Sequence, residues 1–422
     1  MQAMEWDVII IGGGPAGASA GISLRASGLK VLLLDQASFP REKPCGGGIR
    51  SAALDRFPWL NAALHSTTTH FINKIQIESP DGTTLREERT EPLYIMVRRL
   101  EFDHALLRAC RRAGTEVREG QRVVSIRSTA EGVDITTAGG DILRGRIVIG
   151  ADGVNSVVAK TMGQGENRNL REVGIGHMEE TPCAELEPTS PDTLFVFLGL
   201  GRNLGYGYLF PKQGYVNLGR GTLLSCYQAG RSGPPYEAHL RFVGSLVARG
   251  LLKGKSQRAN FHGFLIPYGR PLPKTYADRI LLCGDCAGLV NAFTGEGIYY
   301  ALASGEHAAK TALRSIREGD QSSRFLRRYQ ELWKAEFGAE LEQAAAIQRS
   351  FSKNLGRMDR IIQAANKDAA LRRLLTDYML GRIDYKTARM PLILGFLKSF
   401  LNNKINSLRK NFGWGQKASR KS

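Results

Sequence analysis

The feature that most constrains this 422-residue chain is a glycine-rich turn between a short apolar run and a helix-forming segment. Residues 7–11, Asp-Val-Ile-Ile-Ile, are typical of a strand buried on both faces of a parallel sheet. The turn 12–17, Gly-Gly-Gly-Pro-Ala-Gly, fits G-x-G-x-x-G, and a second apolar run, 30–34, ends at Asp35. This order predicts a βαβ unit that binds a dinucleotide, with Asp35 accepting hydrogen bonds from the ribose hydroxyls. The alternative for Asp35 is a purely structural role at the strand end.

Each residue of the turn has a physical reason to be there. Gly12 permits the tight turn, Gly14 lets the backbone approach a pyrophosphate, and Gly17 allows close packing of helix on strand. Pro15 and Ala16 begin the helix, whose free N–H groups and dipole attract an anion.

The pattern of apolar residues changes twice along the rest of the chain. Buried-strand patterns return near 147–150 and 279–283, whereas the segment between about 165 and 275 has short aromatic runs separated by glycines and prolines. From 322 onward the pattern is helical throughout. The sequence therefore predicts the α/β class. The predicted parts are a discontinuous Rossmann-type domain (1–70, 95–165 and 275–320), an antiparallel-sheet substrate domain (71–94 and 166–274) and a helical C-terminal region (321–422).

Composition and residue spacing exclude several classes of protein. The hydrophobic fraction of 42% with 23% charged residues describes a core-forming globular chain, and no apolar run approaches the roughly 20 residues of a membrane-spanning helix. Six scattered cysteines favour a reducing compartment, and we expect a cytoplasmic protein. The seven histidines show no metal-ligand spacing, so no metal is expected. No nucleic-acid-binding motif accompanies the net charge of +18, and no nucleic-acid partner is expected.

Two dipeptides indicate which dinucleotide the chain binds. Asp152-Gly153 follows one apolar run, and Gly284-Asp285 follows another. Together with the glycine-rich turn, they resemble the three hallmarks of flavoproteins with the para-hydroxybenzoate-hydroxylase fold. The resemblance implies that FAD is the cofactor, with the G-D aspartate on the ribityl hydroxyls and the D-G motif near the pyrophosphate.

Three further stretches resemble the geranylgeranyl reductase family of FAD-dependent oxidoreductases. Residues 43–48 match its K-P-C-G-G-G segment, and residues 206–221 match its Y-x-W-x-F-P-x7-G-x-G motif, with Tyr208 where tryptophan is usual. Residues 295–297 match its G-E-G turn, whose backbone N–H groups would face the flavin pyrimidine edge. The glycines after Cys45 leave a backbone without side chains, against which a flat ring can lie; a flexible hinge is the alternative.

The resemblance implies a site assembled from these motifs and two arginines. The implied cofactor contacts are Gly12, Gly14, Pro15, Ala16, Gly17, Asp35, Arg41, Cys45, Gly46, Gly47, Gly48, Arg99, Asp152, Gly153, Gly284, Asp285, Gly295, Glu296, Gly297 and Ile298. The implied substrate contacts are Tyr206, Tyr208, Phe210, Pro211, Gly219 and Gly221. The implied catalytic residues are Cys45, Gly46 and Gly47, with Cys45 either donating a proton or shaping the pocket. Arg98 is the alternative to Arg99, and Tyr215 extends the expected aromatic wall.

The resemblance implies an FAD-dependent reductase of isolated C=C bonds in a prenyl lipid, prenyl diphosphate, quinone or pigment side chain. The alternative is a flavin-dependent monooxygenase or hydroxylase of the same fold. A halogenase is not expected, because G-x-W-x-W-x-I-P is absent from the sequence. Cys283-Gly-Asp-Cys286 has C-x-x-C spacing but lies within the G-D motif, so no dithiol function is expected. The electron donor is left open among NADPH, ferredoxin and a quinol, and the oligomeric state is also open.

The positive charge is concentrated at the C-terminus. Residues 382–422 contain ten basic residues and one acidic residue, Asp384. Within this tail, apolar residues at 393, 397, 400, 401, 405 and 408 keep helical spacing. A basic amphipathic helix is therefore predicted, and we expect 382–422 to bind an anionic membrane surface peripherally. Docking of this helix on the protein's own core is the alternative.

Overall fold

The computed structural model describes residues 5–164, 172–200, 205–230 and 233–411, with side chains described as far as Lys398. The last part of the predicted basic tail, 412–422, therefore lies outside the described residues, as do the side chains of 399–411.

The strands, in chain order, are β1 (Trp6–Ile11), β2 (Val31–Leu34), β3 (Gly48–Arg50), β4 (Thr69–Ile72), β5 (Lys74–Glu78), β6 (Thr84–Glu88), β7 (Tyr94–Val97), β8 (Glu116–Arg118), β9 (Val123–Ser128), β10 (Val133–Thr137), β11 (Ile142–Gly150), β12 (Gly174–Pro182), β13 (Leu186–Pro188), β14 (Thr193–Leu198), β15 (Gly205–Lys212), β16 (Tyr215–Leu223), β17 (Leu252–Gly254), β18 (Phe261–Ile266), β19 (Tyr276–Ala277) and β20 (Ile280–Leu282).

The helices are α1 (Pro15–Ser23), α2 (Ala52–Arg56), α3 (Leu60–Leu64), α4 (Arg99–Arg112), α5 (Val157–Thr161), α6 (Leu224–Gln228), α7 (Pro235–Ala248), α8 (Ile298–Glu318), α9 (Ser323–Trp333), α10 (Ala339–Lys353), α11 (Gly356–Lys367), α12 (Ala369–Met379) and α13 (Tyr385–Asn411).

The first sheet is the predicted Rossmann-type unit. Its order is β19-β20-β11-β1-β2-β8, and the strands from β20 to β8 run parallel. Residues 8–11 of β1 and all of β2 are buried because α1, α4 and α8 cover the sheet. The parallel strands come from three separate segments of the chain, 6–34, 116–150 and 280–282. Their carboxyl ends meet at one edge, where an open α/β sheet binds its ligand.

The second sheet has seven strands in the order β18-β12-β16-β15-β14-β5-β6. Its pairings are antiparallel except that β14 runs parallel to β5. The exception arises because the chain enters this sheet twice, first through β5 and β6 and later through β12 to β18. Helix α7 packs on one face through Phe242 and Leu246, and it was not predicted.

The fold class is confirmed as α/β with a largely antiparallel second sheet and a helical C-terminal region. The domain boundaries given above stay a prediction. Two local expectations were wrong. The helix after the glycine-rich turn is expected from the sequence to reach about Ser27, but α1 ends at Ser23, and the second sheet includes a parallel pair. Helices α9 to α13 pack beside both sheets, and no helix among the described residues is long and apolar enough to cross a membrane.

Candidate functional site

A cleft of 740 Å³ lies at the carboxyl ends of the parallel strands. Many of the predicted cofactor residues line it. These are Gly12, Gly14, Pro15, Ala16, Asp35, Arg41, Cys45, Arg99, Asp152, Gly153, Gly284, Asp285, Gly295, Gly297 and Ile298. The topology brings them together although they are spread over almost 290 residues of sequence.

The floor of the cleft is the turn between β1 and α1. Gly12 has a φ of +106°, and a Cβ there would lie 2.3 Å from the carbonyl oxygen of Ala151. A Cβ on Gly17 would lie 1.9 Å from the carbonyl oxygen of Gly12, so this glycine permits the contact between helix and strand. Helix α1 begins at Pro15 and has no side-chain cap at Gly14. The positive end of its dipole therefore faces the cleft, as a pyrophosphate site requires.

Asp35 holds this turn in place. Its Oδ2 accepts a hydrogen bond of 2.6 Å from the Gly13 N–H, and its Oδ1 accepts one of 2.8 Å from the Ala37 N–H. Each carboxylate oxygen has a second lone pair, so these bonds leave acceptor capacity for a ligand hydroxyl. The predicted ribose contact and the structural alternative are therefore compatible.

Two arginines share one buried carboxylate beside the cleft. Arg99 donates from Nε to Asp103 Oδ1 at 2.7 Å, and Arg41 Nη2 lies 3.1 Å from Asp103 Oδ2. Arg41 Nη1 is buried and has no hydrogen-bond partner among the described residues. A buried donor of this kind is costly unless a ligand accepts from it. Arg98, the alternative to Arg99, pairs instead with Glu180 and Glu101 outside the cleft lining.

The two Asp-containing motifs differ in what their carboxylates do. The Asp152 carboxylate binds the N-terminus of helix α5, whose N-cap is Ser156, since its oxygens accept from Ser156 Oγ at 2.5 Å and from the Val157 N–H at 2.7 Å. Asp285 is half-buried in the cleft, and its Oδ1 lies 3.5 Å from the Cβ position of Gly297. Asp285 therefore lies beside the N-terminus of α8, whereas the Asp152 carboxylate is hydrogen-bonded to the first residues of α5.

Two of the three backbone N–H groups of the G-E-G turn are used within the turn, and the predicted contact with the flavin stays a prediction. The Gly295 N–H donates to the Asn291 carbonyl at 2.8 Å, and the Glu296 N–H donates to Thr294 Oγ1 at 3.3 Å. These two donors therefore stay within the turn, and the Glu296 carboxylate accepts from Arg50, away from the cleft. The N-cap of α8 is Gly297, so no side chain accepts from the first N–H groups of this helix. The N-terminus of α8 therefore supplies positive electrostatic potential.

The segment that carries Cys45 is packed between the two sheets. A Cβ on Gly46 would lie 2.8 Å from the Phe210 ring, and one on Gly47 would lie 2.1 Å from the Val97 carbonyl oxygen. On the side that a Cβ would occupy, these two glycines therefore make room for protein atoms. That their backbone lies against a flat ring stays a prediction. Cys45 itself lines the cleft, and its Sγ accepts from the Gly47 N–H at 3.4 Å.

The motif of residues 206–221 is a hairpin in which glycines face tyrosines. Tyr208 is paired with Gly219 and Tyr206 with Gly221, and a Cβ on Gly219 would lie 2.1 Å from Tyr208 Cζ. The seven-residue spacing therefore lets each ring lie over a glycine of the neighbouring strand. Burial raises the pKa of both phenols, so both stay protonated.

Phe210 lies beside Tyr208, with ring centroids 4.2 Å apart, and continues the aromatic surface towards Gly46. Pro211 follows on β15 and is paired with Val216. Tyr215 does not belong to this surface, because the guanidinium of Arg98 lies 3.8 Å from its ring centroid at the other end of the hairpin. Its placement in the aromatic wall was wrong, since the tight turn puts it opposite Lys212.

Sequence reasoning missed several polar residues that hold the Cys45 segment. Asn217 Nδ2 donates to the Cys45 carbonyl at 3.2 Å and to Glu180 Oε2 at 2.9 Å, and Lys212 forms an ion pair with Glu180. Burial raises the pKa of Glu180, but Lys212, Asn217 and Arg98 outweigh it, so the carboxylate stays charged. Lys43 lines the cleft, and burial followed by repulsion from Arg99 lowers its pKa. Its place beside Cys45 in the K-P-C segment was the available signal.

A second, apolar cavity of 240 Å³ lies between the seven-stranded sheet and the C-terminal helices. Its lining comes from β5, β6, β14, the turn before α8 and helices α10 to α13. The lining residues are Ile77, Leu85, Leu198, Phe293, Gln343, Ile347, Phe351, Met358, Ile361, Ile362, Leu375, Tyr378, Met379, Tyr385, Arg389, Leu392, Ile393 and Phe396. A smaller void beside it is lined by Phe293, Thr294 and Glu340. The turn 291–297 thus separates this cavity from the cleft.

Comparison with known proteins agrees with this architecture. The family model described as FAD binding domain matches residues 5–195. A digeranylgeranylglycerophospholipid reductase of Methanopyrus kandleri is 30% identical over 364 residues, which cover 82% of this chain and 90% of that protein.

Solved structures share the fold. A geranylgeranyl bacteriochlorophyll reductase-like protein from Thermoplasma acidophilum has a TM-score of 0.74 at 21% identity, covering 85% of this chain and 92% of its own. The flavin-dependent brominase Bmp2 has a TM-score of 0.70 at 18% identity, covering 95% and 99%. At these identities the two structures establish the fold alone. The cofactor is FAD, for which the α1 turn, Asp35 and the unpartnered Arg41 N–H are suited. Because it is 30% identical to the Methanopyrus kandleri reductase over most of both chains, this chain belongs to the geranylgeranyl reductase family, FAD-dependent oxidoreductases that act on CH–CH groups.

Proposed function

We propose that this chain reduces isolated C=C bonds in the geranylgeranyl-type chains of a lipid. The observation that carries the proposal is the apolar cavity beside the flavin cleft. An isolated alkene chain offers a protein no polar group to hold, so its binding depends on burial of apolar surface, at about 25 cal/mol per Å². The name of the Methanopyrus kandleri relative supports the same class of substrate.

The cofactor contacts follow from the cleft. We propose that the turn 12–17 and the α1 N-terminus hold the pyrophosphate, that Asp35 accepts from the ribose and that Asp285 accepts from the ribityl chain. Arg41 and Arg99 then bind polar groups at the opposite wall. FAD, once reduced, supplies a hydride from N5 to one carbon of the double bond.

The other carbon of the double bond needs a proton, and two side chains of the cleft can supply it. Cys45 is the first candidate, because its thiol lines the cleft and Asn217 fixes its backbone. Lys43 is the second, since its lowered pKa makes its ammonium a better acid than a free lysine. We propose Cys45 as the donor, with Gly46 and Gly47 fixing the position of its segment.

Tyr206, Tyr208 and Phe210 are proposed to form the aromatic wall near the reacting carbons, with Gly219 and Gly221 beneath the tyrosine rings. The rest of the substrate chain is then proposed to pass the turn 291–297 and to lie in the 240 Å³ cavity. A lipid, a diphosphate, a quinone or a pigment can carry such a chain, and the basic residues of α13 favour an anionic lipid. Peripheral binding of α13 to a membrane is part of this proposal.

The test is anaerobic incubation of the chemically reduced holoenzyme with geranylgeranyl lipids, followed by mass spectrometry. The proposal expects a gain of two mass units for each bond reduced, with Cys45→Ala slowing the reaction more than Lys43→Met. A reaction that requires O₂ and adds an oxygen atom to the product would instead identify a monooxygenase, a class of enzyme in which this fold also occurs. The electron donor is identified by adding NADPH, reduced ferredoxin or a quinol in turn to the oxidised enzyme and measuring reduction of the flavin.

A further inference from the structure

We propose that Arg50 is a positioning residue of the flavin site: it fixes the turn 295–297 to the Cys45 segment and to the C-terminal helices. This inference needs FAD binding alone, so it goes beyond the proposed substrate and does not depend on it.

Arg50 occupies the end of β3, two residues after the last of the three glycines that follow Cys45. Its side chain is 3% exposed, its Nε donates to Glu296 Oε1 at 2.8 Å, and its Nη2 lies 3.5 Å from Glu340 Oε1. Its guanidinium carbon lies 4.2 Å from the Tyr299 ring centroid and 5.0 Å from that of Tyr300. One buried side chain thus contacts the flavin turn, the first turn of α8 and helix α10.

A fourth segment closes on the same guanidinium. Gly381 follows helix α12, and a Cβ at this position would lie 1.8 Å from Arg50 Nη1. The chain therefore passes over the guanidinium at a distance that a side chain would prevent. Arg50 is the point at which β3, the turn 295–297, α10 and the segment after α12 meet.

The charges make this junction rigid. Burial lowers the pKa of Arg50, but Glu296, Tyr300 and Glu340 outweigh it, and the guanidinium stays charged. Removing one partner of a buried ion pair leaves an uncompensated charge, which costs several kcal/mol. The Glu296 carboxylate therefore stays on Arg50, and this fixes the backbone of the turn.

The turn held in this way separates two spaces. Gly295 and Gly297 line the flavin cleft, whereas Phe293 lines the apolar cavity. A displacement of Glu296 by a fraction of an ångström would therefore move the N-terminus of α8 relative to the flavin. Because that N-terminus supplies positive potential to the flavin, we expect both the affinity for FAD and its visible spectrum to depend on Arg50.

The test compares Arg50→Lys with a matched control, Arg56→Lys. Arg56 also binds two carboxylates, Glu306 and Glu336, and lies over the Phe57 ring at 4.7 Å, but it is not part of the cleft lining. Lysine keeps the charge and loses the planar fork that contacts two carboxylates at once. We expect Arg50→Lys to raise the Kd for FAD about tenfold and to shift the flavin visible circular dichroism. Arg56→Lys should change Kd less than twofold and leave that spectrum unchanged.

A double variant separates positioning from mere charge neutralisation. Arg50→Met with Glu296→Gln removes both charges and leaves no unpaired carboxylate at this pair. We expect its melting temperature to exceed that of Arg50→Met alone, in which Glu296 is left unpaired as well as Glu340, while its Kd for FAD stays about tenfold raised. Recovery of wild-type Kd and circular dichroism in the double variant, or equal effects of the two lysine variants, would overturn the proposal. No prenyl lipid enters these measurements, so their result is independent of the substrate.

Discussion

The Tyr208 ring occupies space that exists because Gly219 has no side chain. Tyr208 is 4% exposed, and its ring lies over the Gly219 Cα within the hairpin of β15 and β16. The ring cannot turn away, because Tyr206 and Phe210 flank it with centroids 6.1 and 4.2 Å away. At this position the G-x-G spacing is a packing requirement of the aromatic wall.

Gly219→Ala should therefore destabilise the protein. The new Cβ would lie 2.1 Å from Tyr208 Cζ, and overpacking of this kind costs about 1–3 kcal/mol. Equilibrium denaturation gives the free energy of unfolding. The control is Gly244→Ala in the exposed part of α7, where no atom lies within 4 Å of the new Cβ. Alanine favours a helix by about 1 kcal/mol over glycine, so the control should be neutral or stabilising. Equal free energies for the two variants would contradict the packing role of Gly219.

Single residues differ in how well the sequence predicts them. Gly12, Gly17 and Asp35 act on neighbours in one strand–turn–helix unit, so spacing along the chain was enough to place them. The contact between Asn217 and Cys45 joins residues 172 positions apart, and that between Arg50 and Glu296 joins residues 246 apart. No local pattern specifies such a pair, because it depends on how the two sheets are packed together.

At the scale of elements, α13 shows a similar division. Its helical spacing was read from the sequence, but the face that docks was not. Leu392 and Phe396 line the apolar cavity, whereas Met390, Leu394 and Leu397 are 53–59% exposed. Lys386, Arg389 and Lys398 are exposed on the same helix. Both alternatives weighed from the sequence are thus compatible with the helix, which docks by one face and presents another.

We expect the exposed face to bind anionic membranes. Apolar residues flanked by basic ones bind an interface through burial of apolar surface and attraction to anionic lipid. The triple variant Met390→Ser, Leu394→Ser and Leu397→Ser keeps the charges and should lower co-sedimentation with anionic liposomes several-fold. The matched control is Ile142→Ser, a residue 66% exposed on β11. If the triple variant sediments like the control, α13 does not bind membranes through this face.

At the scale of the whole molecule, the flavin cleft joins segments that are distant in the chain. Its walls come from β1 and α1, the Cys45 segment, α4, the end of β11 and the N-terminus of α8. Three short motifs sufficed to predict that these segments meet, because parallel strands place their carboxyl ends at one edge. The apolar cavity could not be predicted in this way, since four helices and three strands without a diagnostic motif create it by packing.

A cleft assembled from segments between residues 11 and 301 should couple cofactor binding to global stability. A ligand at 100 times its Kd stabilises the native state by about 2.7 kcal/mol. FAD added to the apoprotein at this excess should therefore raise the melting temperature, measured by far-ultraviolet circular dichroism and by tryptophan fluorescence, with both probes shifting together. FMN, which lacks the adenosine half expected at Asp35 and the turn 12–17, should give a much smaller shift at the same concentration. An FMN shift equal to that of FAD would show that the β1–α1 turn contributes little to binding, and separate transitions for the two probes would show that the two sheets unfold independently.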